Sequence, residues 1–165
     1  MDRAWIGVRR MPRWSKLKAE AETRLADSLQ GRVAFYWTAY GLGNSSSATR
    51  IWMTLDGVQV FYCSEHEAAV FSNHNFNFLA PLPDGVYRAW DVRYSMQDWF
   101  DLSLEKSLAS PNPLVRALAL LDRRLGKRRL KTLRLPDNAS ELEQKFLGIR
   151  LKAEGIVPIP EVRSA

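Results

Sequence analysis

Apolar residues recur at two periods along this chain, and the period changes mark its elements. Leu17, Ala21, Leu25 and Leu29 repeat at helical spacing after Ser15, a good N-cap, and Gly31 then stops the helix. Arg32–Tyr40 is dense in Val, Phe, Tyr and Trp, which suit a pleated surface. Gly41–Ala48 reads as a loop. Thr49–Leu55 alternates, with Ile51, Met53 and Leu55 on one face and Arg50, Trp52 and Thr54 on the other. Asp56-Gly57 is the dipeptide of a two-residue type I′ turn, so Val58–Cys63 returns antiparallel.

Ser64 with Glu67 three residues later makes a capping box for a short helix through Phe71. Asn73–Gly85 reads as a long irregular connection. Val86–Arg93 is a candidate fourth strand, and Ser95-x-x-Asp98 a candidate helix start, with Met96, Phe100 and Leu104 on one face. Ser110-Pro-Asn-Pro113 breaks that helix. Asn112 then caps another, with Pro113 in the first turn and Leu114, Leu118, Leu121 and Leu125 as its stripe. Lys127–Leu135 fits either a helix or a strand. Ser140-x-x-Glu143 opens the last helix, striped by Leu142, Phe146, Ile149 and Ala153 and closed by Gly155. The pattern predicts an α+β fold: an antiparallel sheet of three to five strands packed against an N-terminal helix and two or three C-terminal helices. Residues 13–165 form one domain on this reading, and residues 1–12 a flexible extension preceding a second possible start at Met11.

Composition narrows the class. At 165 residues with 46% hydrophobic and 25% charged positions the chain can bury a core of its own. A single cysteine, Cys63, excludes an internal disulfide framework and favours a reducing compartment. Its apolar neighbours make it a packed small hydrophobe rather than a nucleophile. No stretch approaches the roughly 20 apolar residues of a membrane span, and no secretory leader pattern is present, so a cytoplasmic protein without membrane contact is expected.

The net charge of +6 concentrates in Arg123–Arg134, seven cations in twelve residues with no acid. On a functional reading Arg123, Arg124, Lys127, Arg128, Arg129, Lys131 and Arg134 track phosphates, with strong salt dependence and no sequence information. On a structural reading Arg123 and Arg124 complement a helix C-terminus or pair with Asp122 or with the acids of Glu141–Glu143, and the remaining heads are simply solvated. A surplus of strand aromatics, among them Trp37, Trp52 and Tyr62, offers a possible binding surface, with a homo-oligomer interface as its favoured use.

Two segments resemble an uncharacterised family of small bacterial proteins. They are Trp14-Ser-Lys-Leu-Lys18 and Asp122-Arg-Arg-Leu-Gly-Lys-Arg-Arg-Leu130, supported by Gly31-Arg-Val33 and Thr54-Leu-Asp-Gly57. The resemblance covers Arg13 to Leu135, and it implies no catalytic or binding residues.

Catalytic patterns are missing. There is no Gly-x-Ser-x-Gly elbow, no Cys/His arrangement and no complete phosphate loop at Gly41-Leu-Gly43. His66 and His74 lack metal-ligand spacing, so no metal and no cofactor is expected. The carboxylates Asp91, Asp98 and Asp101 read as caps and solvated groups. A non-catalytic module that binds a macromolecule or itself is therefore the leading expectation. Nucleic-acid binding through residues 123–134 stands beside it, as does a small-molecule or weakly enzymatic pocket using Trp52, Tyr62 or His74.

Overall fold

A computed structural model describes residues 11–42, 46–71 and 82–157. The fold is α+β: an N-terminal helix, a three-stranded antiparallel sheet and a run of helices after it. The first helix, α1 (Trp14–Arg24), starts on Arg13 in extended conformation, without a side-chain cap, so Ser15 lies inside it. It also ends earlier than its leucine spacing suggests. Leu25 turns extended and bridges Asp122, with Ala26 N donating to Leu121 O and Arg123 N to Arg24 O. Leu25 and Leu29 are nonetheless fully buried, because the turns after α1 carry them into the same core.

The sheet is an up-and-down meander of β1 (Val33–Leu42), β2 (Ser46–Leu55) and β3 (Val58–Ser64). Its strands invade much of the predicted 41–48 loop, and Gly43–Ser45 lie outside the described residues. Asp56 and Gly57 both take positive φ, +51° and +80°, as a type I′ turn requires. Arg32 closes the hairpin base with two donated bonds to the Asp56 carboxylate. Between β2 and β3 the register slips by one residue past Met53. That bulge restores alternation so that Phe61 and Cys63 share a face with Met53 and Ile51. The inner face, Val33, Phe35, Ile51, Met53 and Cys63, is buried in the core cluster.

The expected fourth strand at Val86–Arg93 is instead the loop and first turns of a helix. Following α2 (Glu65–Phe71), α3 runs Ala89–Asp101. Ala89, Val92, Met96 and Trp99 recur at three- and four-residue steps and are all buried, so helical burial overrides the strand preference of Val and Trp. Ser95 therefore starts nothing; it sits mid-helix with Oγ bonded to Asp91 O. The helix stops at Leu102, and Ser103 caps α4 (Leu104–Leu108).

Three more helices complete the layer: α5 (Pro113–Leu120), α6 (Lys127–Thr132) and α7 (Glu141–Ala153). Asn112 caps α5 as its sequence implies, accepting from Leu114 N, while its amide donates to Ser95 Oγ on α3. Ser140 and Glu143 form the full capping box of α7. Glu143, 1% exposed, also receives both ends of the Arg116 guanidinium at 2.7 and 3.0 Å, which clamps α5 to α7. Phe146 on α7 meets Phe61 edge-on, joining the helical layer to β3. Among the described residues no helix is long and apolar enough to cross a membrane.

Candidate functional site

The basic segment spans two local settings, the turn after α5 and the short helix α6. α5 ends at Leu120, so Arg123 and Arg124 lie in the turn beyond it rather than on its last turn. Asp122 is fully buried, and it gathers that turn. It accepts from Trp99 Nε1 at 2.7 Å, from Arg124 N at 2.8 Å, and from Arg124 Nη2 at 2.7 Å. Arg124 Nη1 donates onward to Leu102 O. The bond to Asp122 holds the Arg124 guanidinium above its ordinary pKa.

Arg150 supports the same turn from α7. It is 2% exposed and donates to the carbonyls of Leu121, Asp122 and Leu125 at 2.9–3.2 Å. Glu154 sits against Arg150 Nε at 3.1 Å, accepts from Ser28, and pairs with Lys127 Nζ at 3.0 Å. Arg129 pairs with Glu105 at 2.9 Å, both side chains well exposed. Three of the seven cations, Arg124, Lys127 and Arg129, thus hold carboxylates. Arg123, Arg128, Lys131 and Arg134 are exposed, Arg134 bonded to the neighbouring Leu133 carbonyl. The pairing of Arg124 with Asp122 is one the sequence reading allowed, whereas the burial of Asp122 and the part played by Arg150 went unmarked. The available signals were an acid directly after the apolar run Ala117–Leu121, and an Arg-x-x-x-Glu pair at 150–154.

The aromatic candidates divide between two faces. Trp52 and Tyr62 are cross-strand neighbours on the outer face of the sheet. Trp37 is not with them: it pairs with Ile51, on the inner face. There it stacks on Trp14 at 5.8 Å, meets the edge of Trp90 at 5.3 Å, and lies 4.4 Å beneath the Arg93 guanidinium. Arg93 in turn donates to Pro12 O, fastening the segment before α1. Strict alternation along β1 gives the outer position to Tyr36 instead. Tyr36 stacks on Trp52 at 5.1 Å with the rings 9° from parallel, and Lys18 Nζ lies 5.3 Å from the Tyr36 centroid. Tyr36, Trp52 and Tyr62 therefore form one row across the three strands, with Arg50 exposed beside them. The bulge creates this row, because without its slip Phe61 would face Trp52.

His66 is exposed on α2, and His74 lies outside the described residues. Among the described residues no set of three or more His, Cys, Asp or Glu is placed to hold a metal ion. Cys63 is buried, and burial pushes its thiol up to about 12.

Two stretches, residues 13–80 and 80–151, match the model of the SF0329 protein family. The chain belongs to the SF0329 protein family. A search of curated proteins and a search of solved structures each found no match. The SF0329 match takes in α1, the whole sheet and the helical layer as far as Leu151. The Trp99–Asp122–Arg124–Arg150 network and the Tyr36–Trp52–Tyr62 row therefore both lie within the family's span.

Proposed function

We propose that the protein is a non-catalytic interaction module that assembles with a second copy of itself through the outer face of its sheet. The row of Tyr36, Trp52 and Tyr62 carries this reading. An antiparallel sheet covered on one side ordinarily turns polar residues to water on the other. Here three large rings occupy that side, and Tyr36 remains 37% exposed. Tyr and Trp supply contact area at low entropic cost and concentrate at protein interfaces. Trp52 and Tyr62 are already half-buried, so the rings add only a few hundred Å² per copy, the low end for specific association. The expected assembly is a reversible, concentration-dependent dimer. Light scattering across a dilution series should show mass rising toward the dimer, and Trp52→Ala should leave a folded monomer. A monomer at every concentration would rule the reading out.

The exposed cations Arg123, Arg128, Lys131 and Arg134 favour a second reading, nucleic-acid binding on the turn and helix at 123–134. It expects co-eluting absorbance at 260 nm that vanishes between low and moderate salt and is lost in Arg128→Ala/Lys131→Ala. Binding indifferent to salt and to those substitutions would discard it.

A further inference from the structure

Strand β1 lies at one margin of the sheet, and among the described residues only β2 pairs with it. The ladder fixes which groups line its free side. Asp56 N donates to Arg32 O, so Arg32 and Asp56 are a hydrogen-bonded pair. Such pairs alternate along an antiparallel ladder. Ala34, Tyr36, Thr38 and Tyr40 therefore turn N–H and C=O toward β2, while Phe35, Trp37, Ala39 and Gly41 turn theirs outward. A row of this kind is a ready template for another strand. On the opposite margin β3 interrupts its row with the bulge opposite Met53 and Thr54. β1 runs ten residues with no proline, and its register against β2 is unbroken.

The Lys18 side chain crosses this margin. Helix α1 belongs to the inner layer, because Leu17 and Ala21 are buried in one cluster with Phe35 and Ile51. Tyr36 stands on the opposite, outer face. Yet Lys18 of α1 brings Nζ to 5.3 Å from the Tyr36 ring centroid. With β2 on the other flank of β1, the Lys18 stem reaches that ring around the free margin. Glu22, one turn along α1, holds the same ammonium at 3.7 Å. A lysine laid over a sheet edge opposes strand addition in two ways: its stem occupies the space, and an arriving strand must desolvate or displace its charge. We infer that the β1 margin is a strand-pairing surface for β1 of a second copy, and that Lys18 holds it shut.

Symmetry makes a second copy the matching occupant. A two-fold axis at Thr38 sets Trp37 against the partner's Ala39 and Phe35 against the partner's Gly41. That register engages all four outward residues of each copy, and Thr38 meets its own counterpart, a favourable cross-strand pair. In a dimer joined by its outer faces each copy still carries this margin. The guard therefore ends growth at two copies.

Light scattering on the full chain tests the guard. Lys18→Ala keeps a strong helix former in α1 and should raise the mass above that of the wild type at equal concentration. The gain runs beyond the dimer if the outer faces pair, and from monomer to dimer if they do not, so the two readings fail separately. Lys16→Ala removes the same charge from an exposed position and should leave the mass unchanged. Adding Ala39→Pro to Lys18→Ala deletes one outward N–H and none shared with β2, and should cancel the gain. Should that variant not fold, Thr38→Asp, which sets two carboxylates opposite each other at the axis, takes its place. A Lys18→Ala mass equal to that of the wild type, an equal gain from Lys16→Ala, or a gain that the second substitution leaves intact would each overturn the inference.

Discussion

Asp122 shows how one side chain can hold three parts of a molecule in register. Its two oxygens receive the Trp99 indole, the Arg124 guanidinium and the Arg124 amide, all within 3.0 Å. Removing one member of a buried pair costs about 3–5 kcal/mol, because the partner stays desolvated. Arg124 is 36% exposed and can turn to water, so the low end applies. Asp122→Ala should lower unfolding free energy by about 3 kcal/mol in urea titration, well above the ~1 kcal/mol expected for the exposed Arg129–Glu105 pair. Equal losses would show that the buried carboxylate has no special weight. Glu143 makes a second test. Burial raises its pKa, yet donation from Arg116 and Ser140 outweighs that and leaves it below the ordinary value. A carboxyl depressed in the folded state adds stability above its unfolded value of about 4.3, and that stability is lost as pH falls through the folded value. The urea midpoint should therefore drop as pH falls below about 4, and Glu143→Gln should flatten the drop. Cys63, buried and with its thiol pushed up to about 12, should react with a thiol reagent only once urea has opened the core.

At the scale of elements, local chemistry marked boundaries well wherever a cap or turn was complete. Asn112 with Pro113, Ser140 with Glu143, Ser64 before α2 and Asp56-Gly57 each stand where the chain implied. Ser140→Ala should cost about 1 kcal/mol, the usual worth of an N-cap, read as a shifted urea midpoint. A much smaller shift would mean that α7 is held by the Arg116–Glu143 clamp alone. Long-range effects were not legible. The leucines of α1 continue at helical spacing beyond Arg24, but pairing with Asp122 unwinds the backbone at Leu25. Val86–Arg93 carries strand-forming side chains, and only the core's demand for Ala89, Val92, Met96 and Trp99 together makes it helical. For the candidate surface, alternation alone separates Trp37 from Trp52. The partner of Trp52 across β3 depends on a bulge that no local residue announces.

For the whole molecule, one buried cluster runs from Leu17 through the sheet to Phe146. Circular dichroism and tryptophan fluorescence should accordingly trace a single urea transition. Separate midpoints would show that helical layer and sheet unfold independently. The short ladder at Leu25 and Asp122 also bears on the order of events during synthesis. Ribosomes release the chain from its start, and α1 emerges long before the turn that locks its end has been translated. Until Arg123 and its neighbours leave the exit tunnel, Leu25 and Leu29 have no lid. Between those two moments this greasy turn stays open to holding chaperones, and it closes only when the short ladder has formed.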